Sequence, residues 1–252
     1  MPIKTKIQKI ADNPFFMLDY LKGINPNQTI PLLIAREVLG EIKTLIDIGC
    51  YKGDFTKAGL NLFPNMKVYT FDPLKDVFLI RGNNIKFFNL ALSNQKSERR
   101  FYINKGDKGW SSLYIPKENT FFSNFGINNY ETIKVISCRF DELDIKIERP
   151  CFLKIFAQNS DYEILEGFGN RLREVDFVKI EYGFGYMNNT PLSKFIKLLE
   201  DYGFDGIIQK GIRYDKNLSN LLHCSFLFFR VNKDKEFEKD KDKMKGNNEN
   251  EE

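Results

Sequence analysis

The stretch TLIDIGCYKGDFTKAGLNLF, residues 44–63, predicts the beginning of an α/β fold. Leu45, Ile46 and Ile48 form an apolar run of strand length, and the glycines that follow indicate a tight turn. The rest of the stretch has the apolar spacing of an amphipathic helix. In open α/β sheets, the carboxyl end of such a strand is where ligands bind.

The glycine turn does not match two common nucleotide-binding motifs. Its spacing is G-x-x-x-G, whereas the dinucleotide fingerprint is G-x-G-x-x-G, which disfavours a nicotinamide-dependent dehydrogenase. No Lys-Ser or Lys-Thr pair follows, as a phosphate loop requires. Asp47 precedes the glycines and suits a ligand that carries an amino group. A turn that binds no ligand remains the alternative.

The apolar segments that follow predict a doubly wound, mostly parallel sheet. Near-continuous apolar strands alternate with helical patterns, as expected when both faces of a sheet are covered. The predicted strands are KVYTFDP (67–73), NIKFFNLALS (84–93), CFLKIF (151–156), DFVKIEYG (176–183), GIIQK (206–210) and LLHCSFLFFRV (221–231).

We expect three regions along the chain. Residues 1–40 form an N-terminal helical extension, and residues 41–231 form the main α/β domain. Within that domain, residues 95–145 break the pattern, with two alternating edge strands around an aromatic, Asn-rich loop, and are interpreted as a β-rich insertion. Residues 232–252 are almost purely polar and charged, which is typical of a disordered tail.

Composition excludes several classes of protein. The chain has 252 residues and a net charge of only +4, without the clustered basic residues of a nucleic-acid-binding protein. Its four cysteines form no Cys-x-x-Cys pair and it has one histidine, His223, so no metal site is predicted. No apolar run is long enough to span a membrane. Unpaired cysteines and the lack of a signal peptide indicate the cytoplasm.

Asp72 provides a second clue to the ligand. It ends the second predicted strand, 25 residues after Asp47. A carboxylate at this place can accept hydrogen bonds from ribose hydroxyls. A cap at the end of a strand is the alternative interpretation.

Together, these motifs resemble the site of a class I methyltransferase, and more narrowly the FkbM family of S-adenosylmethionine-dependent methyltransferases. The resemblance covers about residues 44–205. It rests on short pieces in the family's order: LIDIGCYKGDFT, FPNMKVYTFDP, FFNLALSN, WSSL, VISCRFDEL, FLKIFAQNSDYEILEGF and VDFVKIEYG. It implies a seven-stranded sheet of the class I type and S-adenosylmethionine as cofactor.

The resemblance also implies roles for individual residues. Four residues would surround the methionine part of the cofactor: Asp47, Gly49, Cys50 and Gly53. Asp72 would hold the ribose, and three residues would lie near the adenine: Ala91, Leu92 and Ser93. The WSSL piece would lie near the cofactor or acceptor through Trp110, Ser111 and Ser112, although a loop anchored by a buried tryptophan is an equal alternative.

The chain departs from the family at the fourth strand. There the family has Lys-Ile-Asp, two residues, Gly, one residue and Glu. Here Phe156 replaces the aspartate, Asn159 the glycine and Asp161 the glutamate, whereas Glu181 at the end of the fifth strand matches. Asp161 and Glu181 are therefore the candidate catalytic bases. Asp161 as a charge at a helix N-terminus and Glu181 as a surface acid are the alternatives.

We therefore expect a methyltransferase that acts on an oxygen of a sugar or another small hydroxyl acceptor. The expected partner is a small molecule or glycan, and the sequence does not define the oligomeric state. Loss of the fourth-strand acid gives the competing hypothesis, a catalytically impaired binding or scaffold protein on the same fold.

Overall fold

The computed structural model of the chain describes residues 26–115, 130–183, 189–214 and 221–230. Most of the predicted helical extension, 1–25, and the predicted disordered tail, 232–252, lie outside these residues. So does the central part of the predicted insertion, 116–129. The described residues form ten strands: β1 Thr44–Ile48, β2 Lys67–Phe71, β3 Ile85–Phe88, β4 Ala91–Leu92, β5 Ser97–Asn104, β6 Tyr130–Cys138, β7 Cys151–Ile155, β8 Phe177–Gly183, β9 Gly206–Tyr214 and β10 Leu221–Phe229.

Seven of these strands form the central sheet, in the order β3-β2-β1-β7-β8-β10-β9. The first five are parallel, and β10 is antiparallel to both of its neighbours. The predicted doubly wound, mostly parallel seven-stranded sheet is therefore confirmed. The strand order reverses between β1 and β7, which is the place where such sheets bind ligands.

Within the described residues, four α-helices cover the two faces of this sheet: α1 Pro26–Leu39, α2 Asp54–Leu62, α3 Asp161–Phe168 and α4 Leu192–Asp201. Successive side chains of a strand point to opposite faces. Leu45 therefore joins the core under α1 and α2, whereas Ile46 joins the core under α3 and α4. Because α1 packs on the same sheet, residues 26–39 share the core of the main domain. The proposed boundary near residue 40 stays a prediction.

The predicted third strand, 84–93, is two strands in the structure. β3 pairs with β2, but β4 pairs with β6 in a separate three-stranded sheet of order β4-β6-β5. The chain changes sheets at Asn89, whose side-chain amide donates to the carbonyls of Asp72 and Pro73 at 3.1 and 2.8 Å. This bend brings β4 next to the end of β2.

The apolar spacing of DYEILEGFGNRLREV, residues 161–175, predicts one helix, but the helix is shorter in the structure. α3 ends at Phe168, and a 3-10 helix continues over Gly169–Glu174. The backbone of Gly169 leaves the helical conformation, with φ of 50° and ψ of −136°. Among the described residues, no helix is long and apolar enough to cross a bilayer.

Candidate cofactor and acceptor site

A cleft opens at the carboxyl ends of β1, β2, β4 and β7. We call it the cofactor cleft, and it contains about 540 Å³ of empty space, part of it open to solvent. Of the residues predicted to bind the cofactor, four line it: Gly49, Asp72, Ala91 and Leu92.

The turn after β1 lies close to the end of β7. Gly49 has a φ of 64°, and a Cβ atom there would lie 2.0 Å from the Phe156 carbonyl oxygen. Only glycine therefore fits this position. The backbone amides of Gly49 and Cys50 both donate to the Phe71 carbonyl, at 2.9 and 3.3 Å, which attaches the turn to the end of β2.

Four of the predicted cofactor residues do not line the cleft: Asp47, Cys50, Gly53 and Ser93. Cys50 is buried, and burial raises the pKa of its thiol far above the usual range. Gly53 precedes α2, where a Cβ atom would lie 2.3 Å from Cδ1 of Ile80. Ser93 is fully buried and donates to Glu163 at 2.9 Å. These residues support the cleft from behind.

Asp47 is also fully buried and does not line the cleft. One carboxylate oxygen accepts a hydrogen bond from Oγ1 of Thr56 at 2.8 Å. The other lies 2.9 Å from Nζ of Lys154. The prediction that Asp47 contacts the methionine part of the cofactor stays untested, but the carboxylate already has two partners within the protein.

Asp72 is the one predicted carboxylate that lines the cofactor cleft. It accepts hydrogen bonds from the backbone amides of Tyr51 and Leu74, at 3.0 and 2.9 Å. Burial raises the pKa of Asp72 to about 6, although the two amide hydrogen bonds oppose this shift. At neutral pH the group is therefore mainly ionised and able to accept hydrogen bonds from a ligand.

Residues 108–113, which we call the roof segment, form part of the wall of the cleft. Lys108, Gly109, Ser111 and Leu113 line it, whereas the half-buried Trp110 does not. Ser112 is buried behind the wall. Its hydroxyl donates to the Gln158 carbonyl at 2.5 Å, which links the roof segment to the turn after β7.

The turn after β7 separates the cofactor cleft from a second, polar pocket. Phe156 and Ser160 line the cleft, whereas Asn159 and Asp161 line the pocket. Within the turn, Gln158 and Asn159 have φ values of 50° and 82°, a conformation that is unusual for residues other than glycine. Asn159, which stands where the family has glycine, thus adopts a left-handed backbone conformation.

The polar pocket brings both candidate bases together. Its empty space of about 250 Å³ includes open solvent, and the pocket is lined by Asn159, Asp161, Ile180, Glu181, Tyr182, Gly183, Asn189, Thr190 and Phe195. Burial raises the pKa of Asp161 to about 6, and the nearby charge of Glu181 also raises it. Glu181 forms an ion pair with Lys179 at 2.7 Å.

In the part of the chain that is described, no cluster of three or more His, Cys, Asp or Glu side chains is arranged to hold a metal.

The family model described as "Methyltransferase FkbM domain" matches residues 47–205. The chain belongs to the FkbM methyltransferase family. It is an S-adenosylmethionine-dependent methyltransferase, as the resemblance predicted. Asp72 presents a carboxylate into the cleft, where it would be able to accept hydrogen bonds from the hydroxyls of this cofactor.

Solved structures of methyltransferases are similar to this FkbM protein at low identity. Precorrin-6y C5,15-methyltransferase from Geobacter metallireducens is 13% identical, with coverage of 81% of this chain and 87% of the other, and a TM-score of 0.41. Magnesium protoporphyrin IX methyltransferase from Synechocystis, with bound S-adenosylmethionine, is 11% identical, with coverage of 87% and 85% and a TM-score of 0.42. Human N-acetylserotonin methyltransferase is 10% identical, with coverage of 91% and 56% and a TM-score of 0.38. No curated protein sequence matches significantly.

Sequence reasoning assigned no role to two residues of this FkbM site. Lys154 is the charged residue within the apolar strand β7, and it lies beside Asp47 in the register of β1 and β7. Each of these two apolar strands contains one charged residue, and the two charges are opposite. The sequence therefore already contains a signal for an ion pair between the strands. Glu163 of α3 accepts hydrogen bonds from Ser93, Arg99 and Tyr114. No local pattern predicts this cluster, since its members come from distant segments.

Proposed function

We propose that this FkbM methyltransferase transfers a methyl group to a hydroxyl oxygen of a sugar or another small acceptor. The observation that supports the proposal is the polar pocket. Two carboxylates and two side-chain amides lie there, directly across the turn from the cofactor cleft. Groups of this kind form hydrogen bonds with hydroxyl-rich molecules.

The cofactor would lie in the cleft with its ribose at Asp72 and its adenine against Ala91 and Leu92. Gly49 would allow the chain to approach its methionine part. S-adenosylmethionine supplies a methyl group that its positively charged sulfur already activates. The protein therefore mainly has to align the acceptor oxygen and exclude water. The apolar residues of the cleft, including Phe71, Phe101, Leu113 and Phe156, contribute to that exclusion.

Asp161 is the residue that we propose as general base. When the acceptor oxygen is methylated by the cofactor, its hydroxyl must lose a proton, and the carboxylate of Asp161 would accept that proton. With a pKa of about 6, Asp161 is mainly ionised at neutral pH and able to accept a proton. Glu181, held by Lys179, would orient the acceptor.

The charge of the polar pocket supports a neutral or cationic acceptor. Asp161 and Glu181 contribute two carboxylates, and Lys179 offsets one of them. A phosphate or carboxylate group would be repelled there. We therefore propose a small molecule or glycan as partner and no nucleic acid. We also propose a cytoplasmic location, supported by four free cysteines in the described residues.

The proposal is tested by incubating the purified protein with S-adenosylmethionine labelled in its methyl group and a panel of neutral mono- and oligosaccharides. Label in an acid-stable methyl ether on one acceptor is the expected result. Tight cofactor binding without transfer to any hydroxyl would overturn the proposal and favour the impaired binding protein. Transfer only to carboxylate or nucleic-acid acceptors would overturn the proposed acceptor class.

The role of Asp161 has its own test. Asp161→Asn should lower kcat by about 10²–10⁴-fold, because the amide cannot accept the hydroxyl proton. The Kd of S-adenosylmethionine should change little, since Asp161 lies outside the cofactor cleft. Glu181→Gln is the matched control and should mainly raise the KM of the acceptor. Equal kcat in Asp161→Asn and the wild type would contradict a base at this position.

A further inference from the structure

Lys154 and Asp47 form a buried ion pair below the glycine turn. They are register partners on the parallel strands β1 and β7, and their side chains are 5% and 0% exposed. The ammonium nitrogen lies 2.9 Å from Oδ1 of Asp47. At this degree of burial each charge depends on the other, since an unpaired buried charge costs several kcal/mol.

The ammonium group also holds the backbone of the turn. Nζ of Lys154 donates to the carbonyl of Gly49 at 2.7 Å and to the carbonyl of Ile48 at 3.2 Å. With Oδ1 of Asp47 at ion-pair distance, the ammonium group has three oxygen atoms within 3.2 Å. Neither Lys154 nor Asp47 lines the cofactor cleft. The pair therefore lies behind the wall of the cleft.

The other side of the turn is attached to Asp72. The amides of Gly49 and Cys50 donate to the end of β2, and the amide of Tyr51 donates to Oδ2 of Asp72 at 3.0 Å. Tyr51 has a φ of 45° and itself lines the cleft. The turn therefore connects the ammonium of Lys154 to the carboxylate of Asp72.

We propose that Lys154, neutralised by Asp47, is a positioning residue that sets the glycine turn and, through it, the orientation of the Asp72 carboxylate. On this proposal Asp47 supports the turn and does not bind the amino group of the cofactor. The inference rests on the proposed function, in which Asp72 binds the ribose.

Two ligands separate this proposal from direct contact with the cofactor. S-adenosylmethionine has an amino-acid part, whereas 5′-methylthioadenosine keeps the adenosine and lacks that part. Calorimetry should measure both Kd values for the wild type, for Lys154→Met and for the double variant Asp47→Asn/Lys154→Met, which removes the unpaired carboxylate. The exposed Lys57→Met on α2 is the matched control.

If Lys154 positions the glycine turn, the double variant should lose affinity for both ligands by a similar factor, about tenfold or more. Lys57→Met should bind both like the wild type. Loss of affinity for S-adenosylmethionine alone would mean that the pair contacts the amino-acid part, and it would overturn the proposal. Unchanged affinity for both ligands would overturn it as well.

Two further variants keep the test decisive. If both Lys154 variants fail to fold, the two Kd values are measured for Asp47→Asn instead. A larger loss of affinity for S-adenosylmethionine than for 5′-methylthioadenosine would then overturn the proposal. Asp72→Ala examines the ribose site separately. If Asp72→Ala binds both ligands like the wild type, the proposed ribose site fails, whatever the Lys154 variants do.

Discussion

Asp72 and Asp161 are buried carboxylates whose pKa burial raises to about 6, but they face different spaces. Asp72 faces the cofactor cleft and Asp161 the polar pocket. Protonation of each group should therefore affect a different step. Asp72 should control cofactor affinity, and Asp161 should control the rate of methyl transfer.

Cofactor affinity should fall as the pH decreases below about 6. In the proposed function, ribose hydroxyls donate to the ionised carboxylate of Asp72, so binding should favour the ionised form and protonation should compete with binding. Calorimetry should show a Kd about tenfold higher at pH 5 than at pH 8. Asp161→Asn should keep this pH dependence, whereas Asp72→Asn should abolish it. An unchanged pH dependence in Asp72→Asn would assign the titration to another group.

Gly49→Ala should destabilise the protein and weaken cofactor binding. A methyl group there would lie 2.0 Å from the Phe156 carbonyl, so the turn or the end of β7 must move. Gly40→Ala is a matched control, because Gly40 also has a positive φ but has no atom within 4 Å of its Cβ position. Thermal unfolding should show a larger decrease in Tm for Gly49→Ala than for Gly40→Ala. Equal losses would mean that backbone strain alone, without the close contact, explains the effect.

At the scale of elements, Glu163 connects parts of the wall of the cofactor cleft. It accepts from Arg99 of β5 at 2.6 Å, from Ser93 after β4, and from the hydroxyl of Tyr114, which follows the roof segment. Hydrogen bonds lower the pKa of Glu163 although burial opposes this, so the group stays ionised at neutral pH. The cluster therefore holds the small sheet against α3.

Tyr114→Phe should accelerate dissociation of S-adenosylmethionine. The variant removes one hydrogen bond to a charged group and frees the end of the roof segment, so koff should rise roughly tenfold. Stopped-flow measurement with a fluorescent cofactor analogue gives this rate. Tyr69→Phe is the control, because Tyr69 donates to the Lys146 carbonyl outside the cleft. The same koff in both variants would mean that the cluster does not hold the roof segment.

At the scale of the whole molecule, a row of aromatic rings connects the central strands on the face under α1 and α2. Phe152 of β7 stacks on Phe177 of β8 at 5.9 Å, and Phe177 stacks on Phe229 of β10 at 5.5 Å. Phe55 of α2 contacts Phe152 at 5.5 Å. The row therefore joins a helix to three neighbouring strands.

Phe177→Ala should lower the free energy of unfolding by about 3–5 kcal/mol, because it leaves a cavity in the middle of this row. Urea unfolding followed by circular dichroism measures the change. Leu79→Ala, at a side chain that is 75% exposed, is the control and should change stability by less than about 0.5 kcal/mol. A loss below about 1 kcal/mol for Phe177→Ala would show that the core closes around the missing ring.

From the sequence alone follow the alternation of strands and helices, the glycine turn after β1 and the carboxylate of Asp72 at the end of β2. Apolar runs of strand length and the glycines after β1 depend on neighbours along the chain, and local patterns record them directly. The same reasoning predicted that 84–93 is one strand, since nothing local indicates that Asn89 bonds to the end of β2.

Only the tertiary structure decided what each charged residue touches. In the folded chain, Asp47 pairs with Lys154 and Asp72 lines the cofactor cleft. Asp161 and Glu181 line one pocket. These contacts join segments up to about a hundred residues apart. Local sequence patterns do not encode them, because ion pairs and burial depend on which strands become neighbours in the sheet.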